Sequence, residues 1–436
     1  MKRLVSKDPN FAAQFIELGA RLAEPAREVT ASVARIIADV RENGDEAVAR
    51  YARRFDGRDA VVEVNPARFA AALDGLSGEL RLALATCAER LRTQAEQELP
   101  ADIPGTPDAL GVSLARRFRP VRRAGIYVPG GRAAYPSSLL MAAIPARVAG
   151  VEELVVVTPL DPDAEAARAV LAAAHLARVD RMFIVGGAHA VAALAFGTHA
   201  IPRVDVIVGP GNAYVAEAKR QLYGVVNIDG VAGPSEVMIL ADESLPPKHA
   251  AADLLAQAEH DPEARCVLVT VDADYADAVE HEVRYLTQAA PRREVIEASL
   301  RDHGAIIVVR DWDEAATLAD AYAPEHLQIA CAEADRILAK IRTAGAVFLG
   351  GDTPEALGDY VAGSNHVLPT AGTARFFSGL SAASFMRATN IIRATPSGLK
   401  ALAPATMAFA RSEGLFAHAQ AVELRLETMD ATGGKS

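Results

Sequence analysis

Cysteine, aromatic residues and long apolar runs are all scarce in this 436-residue chain. The three cysteines, Cys87, Cys266 and Cys331, lie far apart and form no CxxC pair. Their number and spacing exclude a disulfide framework and a cysteine-based zinc cluster, and they are typical of a reducing cytoplasm, where we expect the protein. No apolar run approaches the roughly 20 residues of a membrane span, and the first residues lack the apolar core of a signal peptide.

An excess of positive charge is also absent. The formal net charge is −11, so the electrostatic field of the molecule repels nucleic acids and anionic membranes, and we expect neither as a partner. The densest basic run, RRFRPVRR at residues 116–123, leads directly into an apolar segment. We interpret it as a solvated edge, with an anion-binding lip as the alternative.

The apolar residues, 51% of the chain, are arranged in two patterns. Residues 10–100 are typical of helices, and one amphipathic stripe comprises Val29, Val33, Ile36, Ile37 and Val40. Gly44 follows this stripe, where a C-terminal cap belongs. From about residue 122, continuous Val/Ile runs alternate with helical stretches, which predicts parallel sheets covered on both faces. We therefore predict an α/β fold with two Rossmann-like domains, parallel-rich sheets and smaller helical segments at both ends.

Glycine-rich turns follow several of the predicted strands. GPGNAY at 209–214 opens a predicted helix but has Tyr214 where a dinucleotide fingerprint has its third glycine. VGGAHAVAALAFG at 185–197 has the same setting without the full fingerprint. Each turn alone is a weak signal, because glycines at strand ends are most often simple turns. GIYVPGG at 125–131 contains a third such turn. Three of these turns in one α/β region favour a nucleotide site.

Four segments place imidazole near carboxylate or amide groups. They pair Gln257 with His260, Asp359 with His366, Glu413 with His418, and Glu325 with His326. Taken singly, a histidine is more often a hydrogen-bonded structural residue than a ligand. A set of Gln, His, Asp and His would suit zinc or a similar divalent ion, although the spacing matches no standard motif.

The adjacent pair in APEHLQIA, residues 323–330, poses a geometric problem. Neighbouring side chains point to opposite faces of a strand and diverge by about 100° on a helix. One site can therefore use both Glu325 and His326 only from an irregular segment, which Pro324 favours by restricting Ala323. The alternative is an exposed acid beside a core histidine.

Long segments of the chain resemble the histidinol dehydrogenase family in the same order. They include GIYVPGGRAAYPSSLLM, VGPGNAYVAEAKRQ, DLLAQAEHDP, APEHL, VFLGGDTPEALGDYVAGSNHVLPT and SEGLFAHAQAV. The resemblance implies oxidation of L-histidinol to L-histidine through L-histidinal with two NAD⁺, the last steps of histidine biosynthesis. It also implies one Zn²⁺ per subunit, an incomplete Rossmann-like nucleotide domain, and a homodimer whose C-terminal segments reach the partner's active site.

The resemblance also implies a set of site residues. The zinc ligands fall on Gln257, His260, Asp359 and His418, and the catalytic pair on Glu325 and His326. Substrate contacts fall on Ser235, His366 and Glu413, together with His326 and the four zinc ligands. Nucleotide contacts fall on Tyr127, Asn212 and His189, where the family usually has glutamine.

The expected domains follow from the same resemblance. They are a helical segment 1–22, a first α/β domain 23–126 with 236–380, a nucleotide-binding domain 127–235, and a C-terminal segment 381–436. The first α/β domain would carry the catalytic and metal residues.

Within such a site the adjacent pair has two different tasks. We expect His326 to accept the substrate hydroxyl proton and Glu325 to activate water for the second oxidation. The metal would hold the imidazole and amine of the substrate and so orient it.

Two alternative functions stay open. The first is a related dehydrogenase that oxidises another small polar alcohol, such as a sulfopropanediol, but Glu413 would repel an anionic substrate and favours a cationic amino alcohol. The second is a metal-dependent hydrolase or metabolite-binding protein, against which the glycine turns argue.

Overall fold

The computed structural model describes residues 1–20, 27–130 and 135–433. The expected domain boundary after residue 22 and residues 131–134 of the glycine-rich GIYVPGGRAA segment lie outside this part of the chain. Two compact units make up the molecule. Unit 1 comprises Met1–Glu98 and Val121–Phe385, and unit 2 comprises Leu99–Pro120 and Met386–Ser436.

Helices and strands alternate through most of the described chain. The helices are α1 (Phe11–Gly19), α2 (Arg27–Tyr51), α3 (Ala67–Asp74), α4 (Gly78–Gln97), α5 (Pro136–Ala149), α6 (Glu165–Leu176), α7 (Gly187–Phe196), α8 (Ala213–Leu222), α9 (Pro247–Ala258), α10 (Ala273–Ala289), α11 (Arg293–Asp302), α12 (Trp312–Tyr322), α13 (Ala334–Leu338), α14 (Glu355–Tyr360), α15 (Pro396–Ser412) and α16 (Phe416–Gly433). The strands are β1 (Lys2–Val5), β2 (Val62–Glu63), β3 (Val112–Pro120), β4 (Arg123–Tyr127), β5 (Glu153–Thr158), β6 (Arg181–Ile184), β7 (Val206–Val208), β8 (Asn227–Ile228), β9 (Glu236–Ala241), β10 (Arg265–Thr270), β11 (Ala305–Val308), β12 (His326–Ala330), β13 (Ala346–Leu349) and β14 (Met386–Ala394).

Unit 1 contains two six-stranded sheets. The first has the order β1-β11-β10-β9-β12-β13 and is parallel throughout. The second has the order β2-β6-β5-β4-β7-β8 and is parallel except for β2, which pairs antiparallel with β6. The predicted α/β class with parallel-rich sheets is confirmed.

Helices cover both faces of the first sheet, and the alternation of β9 shows it directly. Met238 and Leu240 belong to one buried cluster, with Trp312 and Tyr322 of α12. Val237 and Ile239 belong to another, which contains residues of α9, α10 and α11. A strand buried on both sides is apolar at most of its positions, which explains the continuous Val/Ile runs in the sequence.

The amphipathic helix predicted around residues 29–40 packs on the second sheet. Val33, Ile36 and Val40 are buried in one cluster with Val155 and Val157 of β5. The backbone leaves helical geometry at Gly44, where φ is +50°, and helical turns resume after it. The predicted helix end at Gly44 is thus a kink within α2. The domain boundaries stay a prediction, and within segment 23–126 the structure places α2 and β2 on the second sheet.

Two strands lie in the terminal segments that the sequence predicted to be helical. Residues 2–5 form β1, which extends the first sheet beside β11, and residues 386–394 form β14. Four residues are too few to show periodicity, and β1 depends on a partner about 300 residues away in sequence.

Unit 2 combines a two-stranded antiparallel ribbon of β3 and β14 with the helices α15 and α16, which pack against each other. In the ribbon, Leu114 faces Ile392 across the strands, and both side chains are exposed. Arg119 of the basic run pairs with Asp102 at 3.2 Å, with both side chains about half exposed, as the solvated-edge interpretation predicts. Among the described helices of the whole chain, none is both long enough and apolar enough to cross a membrane.

Candidate active site

The amino ends of two neighbouring strands bring Glu325 and His326 together. His326 is the first residue of β12 and pairs in register with Val237 of β9. Glu325 precedes the strand, after a left-handed Ala323 with φ of +51°. The irregular segment that the sequence predicted therefore carries only Glu325. Because Glu325 lies outside the strand alternation, its carboxylate can still approach His326, at 3.7 Å from Nδ1.

The backbone of Glu236 holds both side chains. Its N–H donates to Glu325 Oε2 at 2.9 Å, and its carbonyl oxygen lies 3.1 Å from His326 Nδ1. A carbonyl oxygen only accepts, so Nδ1 carries the hydrogen and Nε2 presents its lone pair. Nε2 is buried and has no hydrogen-bond partner among the described residues. The first residue of β9 thus sets the orientation and tautomer of the candidate base.

Burial controls the protonation of the pair. It lowers the pKa of His326 to about 4, against the opposing effect of Asp359, so the imidazole is neutral at neutral pH. Burial also raises the pKa of Glu325 well above its usual range, and the carboxylates of Glu236, Glu355 and Asp359 act in the same direction. A neutral imidazole therefore lies beside an unusually basic carboxylate.

Glu355 is a site residue that the sequence analysis missed. Its Oε1 lies 3.4 Å from His326 Nδ1, and the side chain is buried. Burial raises its pKa well above the usual range, with further contributions from Asp359 and Asp253. Ligand atoms of His326, Glu355 and Asp359 all lie within 4.8 Å of one another, a separation at which they could share a cation. The signal was present in the sequence, since Glu355 and Asp359 are four apart on one helix.

Of the predicted metal residues in unit 1, His260 lies beside Asp359. His260 Nε2 is 3.8 Å from Asp359 Oδ2, and His326 Nε2 is 3.9 Å from Asp359 Oδ1. Gln257, near the end of α9, is fully buried, yet neither atom of its amide has a hydrogen-bond partner within the described chain. A buried amide without a partner is costly, so this position calls for a ligand.

The predicted substrate residues His366 and Ser235 belong to unit 1 as well. His366 Nδ1 lies 3.1 Å from the Asp359 carbonyl oxygen, and its Nε2 lies 3.0 Å from the hydroxyl of Ser138, a contact that the sequence did not suggest. Burial lowers the pKa of His366. Ser235 directly precedes Glu236, and its carbonyl accepts from the Arg265 N–H at 3.0 Å.

Glu413 and His418 belong to unit 2. Glu413 is the C-cap of α15, Gly414 follows with φ of +73°, and His418 lies in the first turns of α16. Both side chains are exposed on this helical hairpin.

A second set of predicted residues lies at the carboxyl ends of β4 and β7 and at the start of α7. Tyr127 Oη accepts from the Gly187 N–H at 3.1 Å, and Asn212 Oδ1 caps α8 by accepting from the N–H groups of Tyr214 and Val215. Gly209, with φ of +112°, lies so close to the Tyr127 carbonyl oxygen that an added Cβ would be 2.2 Å from it. Tyr127 therefore joins both glycine turns.

His189, in contrast, is almost completely buried. Its side chain is 1% exposed, and its ring lies 5.8 Å from the Tyr51 ring and 6.1 Å from the Phe55 ring. Its Nε2 is 3.5 Å from Asp56 Oδ2, which is longer than a hydrogen bond.

Comparison with known proteins shows the family to which this arrangement belongs. The pattern that defines histidinol dehydrogenase matches residues 20–426. The chain belongs to the histidinol dehydrogenase family. It is 49% identical to histidinol dehydrogenase of Rhizobium meliloti over 97% of this chain and 98% of that protein, and 48% identical to that of Dechloromonas aromatica over 98% and 99%. The crystal structure of histidinol dehydrogenase from Elizabethkingia anophelis matches with a TM-score of 0.92 and 32% identity over 99% of both chains.

Membership of the histidinol dehydrogenase family confirms the predicted family, the α/β class and the predicted kind of enzyme, an NAD-dependent oxidoreductase. The metal-dependent hydrolase or metabolite-binding protein considered from the sequence is thereby set aside.

Proposed function

We propose that the protein oxidises L-histidinol to L-histidine through L-histidinal, with zinc bound in the site. The balanced reaction converts L-histidinol, two NAD⁺ and one water to L-histidine, two NADH and three protons. One observation carries the proposal. Glu236 holds a neutral imidazole whose Nε2 has no hydrogen-bond partner among the described residues, next to a buried carboxylate of raised pKa, so two distinct bases serve one site.

The two bases match the two half-reactions. In the first, His326 Nε2 accepts the hydroxyl proton while the carbinol carbon gives a hydride to NAD⁺. In the second, the aldehyde must add water before another hydride can leave. Glu325 is suited to take a proton from that water, because its raised pKa makes it a stronger base than an ordinary carboxylate.

The donor set of unit 1 fits zinc. Nitrogen from His260 and oxygens from Asp359 and Gln257 are ligands that zinc accepts, and His418 would complete four-fold coordination. The separation of 3.8 Å between His260 Nε2 and Asp359 Oδ2 is close to that of two ligands sharing one ion, and the partnerless amide of Gln257 supplies the third donor. Zinc bound there would orient the substrate through the substrate's imidazole and amine. Ser235, His366 and Glu413 are the proposed further substrate contacts, Glu413 through charge attraction to the ammonium group.

The glycine turns around Tyr127 form the proposed nucleotide site, with Asn212 and His189 as its other residues. The turns follow the carboxyl ends of parallel strands, where α/β proteins commonly bind nucleotides. The N–H and carbonyl of Gly209 are held by Asp229 at 2.7 Å and by Lys219 at 3.0 Å, and Lys219 and Asp229 are themselves a buried ion pair. This rigid setting suits a site that must receive two NAD⁺ in succession.

A homodimer with shared sites is part of the proposal. Unit 2 exposes large apolar side chains on its ribbon and helices, including Leu114, Ile392, Phe409 and Phe416. Exposed apolar residues in this number are typical of a surface that another chain covers. The exposed Glu413 and His418 lie on the same unit and would serve the partner's site. The cytoplasmic location and the absence of nucleic-acid and membrane partners stay predictions.

The direct test is turnover. We expect NADH formation with L-histidinol at a ratio of two per substrate, loss of activity after chelation, and recovery on adding Zn²⁺ while the circular dichroism spectrum stays unchanged. A small anionic alcohol such as a sulfopropanediol is the control substrate. Faster oxidation of that alcohol than of histidinol would contradict the proposed substrate, and full activity after metal removal would contradict the zinc site.

A further inference from the structure

The turn between β6 and α7 is hydrogen-bonded to a segment that comes before both of these elements in the sequence. The π-helical turn Ala52–Asp56 continues α2, and its last residue, Asp56, lies against the glycine pair Gly186–Gly187. Asp56 Oδ2 accepts from the Gly186 N–H at 3.1 Å and lies 3.5 Å from His189 Nε2. The side chain of Asp56 is 11% exposed. One carboxylate therefore faces both the turn and the first turn of the helix that follows.

His189 is enclosed by aromatic side chains of the same chain. Tyr51 and Phe55 stack on each other, with ring centroids 5.9 Å apart, and both rings lie near the imidazole. With 1% of its side chain exposed, His189 has almost no surface to offer to a nucleotide.

The backbone N–H groups of Gly186 and Gly187 also have hydrogen-bond partners within the protein. The Gly186 N–H is held by Asp56, and the Gly187 N–H is held by the Tyr127 hydroxyl. The positive φ of Gly187, +64°, sets the turn from which α7 begins. The position of Tyr127, a residue of the proposed nucleotide site, is thus linked through this turn to Asp56.

We propose that Asp56 is a positioning residue of the nucleotide site, and that His189 acts on NAD⁺ binding through Asp56 and the Gly186–Gly187 turn without touching the nucleotide. The proposal rests on the proposed function, since it needs NAD⁺ to bind at these turns. Burial by itself would raise the pKa of Asp56, but the His189 imidazole and the Gly186 N–H outweigh it and hold the pKa below its usual value, so the carboxylate is charged where it acts.

The test measures NADH binding to the zinc-loaded, substrate-free protein by nucleotide fluorescence. Asp56→Ala removes the acceptor for Gly186 and the charge facing His189, whereas Asp56→Asn removes only the charge. We expect the Kd for NADH to rise about tenfold in the alanine variant and less in the asparagine variant. Asp59→Asn is the matched control, because Asp59 is exposed and pairs only with the exposed Arg53 among the contacts described for it.

Steady-state kinetics separate positioning from general damage. The KM for NAD⁺ should rise with the Kd, while kcat at saturating NAD⁺ and the KM for histidinol change less than about twofold. His189→Gln, whose amide can face the Asp56 carboxylate as the imidazole does, should bind NADH nearly as well as the unchanged protein. His189→Leu should weaken binding, and adding Asp56→Asn to it should cost little more, because residues that act as one unit are not additive.

The outcomes are distinct. Unchanged NADH affinity in folded Asp56→Ala and Asp56→Asn would overturn the proposal, as would a large loss in His189→Gln with none in Asp56→Asn, which would show direct contact by His189. If Asp56→Ala does not fold, the isosteric Asp56→Asn and the His189 variants decide by the same criteria. Failure of the unchanged protein to bind NADH would contradict the proposed function itself, and with it the role of Asp56.

Discussion

Glu325 and His326 are adjacent, but the start of β12 falls between them, and this boundary gives them different environments. His326 takes its orientation from the strand register, which places it beside Val237 and next to the Glu236 carbonyl. Glu325 reaches the Glu236 N–H from the irregular side. The backbone of one residue thus gives the two proposed bases different settings: it fixes the tautomer of the imidazole and holds the orientation of the carboxylate.

Glu325→Gln should separate the two half-reactions. The amide keeps the size of the side chain but cannot take a proton from water, so oxidation of histidinal should fall by about 10²-fold or more. The hydride transfer that interconverts histidinol and histidinal needs no activated water, so its rate should change far less. Rapid-mixing measurements of NADH formation from each substrate check this, with Glu42→Gln, at an exposed helical position, as the control. Equal losses in both half-reactions would contradict the division of roles.

Glu355→Gln should stabilise the metal-free protein as pH rises. Burial raises the folded-state pKa of Glu355 well above 4.5, so below pH 4.5 both the folded and unfolded states hold the proton. Above it the unfolded chain releases the proton while the folded protein retains it, and the stability of the native protein falls until pH passes the folded-state pKa.

Glutamine lacks this penalty, so the thermal midpoint of the Glu355→Gln variant should exceed that of the unchanged protein by an amount that grows above pH 4.5. The midpoint is measured by calorimetry in chelator across a series of buffers. Because Glu355 contacts His326, kcat should fall in the same variant. A stability gain that does not vary with pH would show that the buried Glu355 carboxyl does not titrate in this way.

At the scale of elements, the glycine turns of the proposed nucleotide site differ in how closely the backbone approaches its neighbours. Gly209 ends β7 at a φ of +112°, with no room for a Cβ beside the Tyr127 carbonyl. Gly224 follows α8 at a similar φ of +99°, but nothing lies within 4 Å of its Cβ position. The two glycines therefore share backbone strain and differ in packing.

Gly209→Ala should cost about 2–5 kcal/mol of stability, because strain and a backbone clash act together, and it should weaken NADH binding by displacing Tyr127. Gly224→Ala, the matched control, should cost only about 1–2 kcal/mol and leave NADH binding unchanged. Chemical denaturation and NADH titration measure the two effects. Similar stability and affinity in both variants would show that the close approach at Gly209 has no role.

A strand could be predicted from the sequence where its apolar pattern is local, and could not where it depends on a distant partner. The continuous apolar runs after about residue 122 were predicted to form parallel sheets because burial on both faces requires such runs. Strands β1 and β14 were missed because each depends on a distant partner, β11 or β3. Such pairing leaves no periodicity in a short or solvated segment.

The same distinction applies to the site. The residues implied by the family resemblance came from long motifs, whereas Glu236, Glu355 and Asp56 were overlooked. Glu236 acts through its backbone, so its side-chain type carries no signal. Asp56 meets its partners across about 130 residues of sequence. Only Glu355 had a local signal, its helical spacing from Asp359.

At the scale of the whole molecule, the four proposed zinc ligands are divided between the two units. Gln257, His260 and Asp359 belong to unit 1, and His418 belongs to unit 2. Unit 2 has few buried side chains and many exposed apolar ones, so its surface is expected to be covered by a second chain. A two-fold dimer that shares its sites would then place the His418 of each chain in its partner's site.

Mixed dimers test this arrangement. A His326→Asn chain retains His418, and a His418→Asn chain retains His326, so a mixed dimer with sharing has one intact site and one doubly defective site. Random pairing makes about half of the dimers mixed, and activity should return to about a quarter of that of the unchanged enzyme after the two inactive proteins are co-refolded. Mixing His326→Asn with His260→Asn is the control, because both residues belong to unit 1 and every site keeps one defect. If activity also returned in the control mixture, a process other than site sharing would be responsible. If activity returned in neither mixture, His418 would serve the site of its own chain.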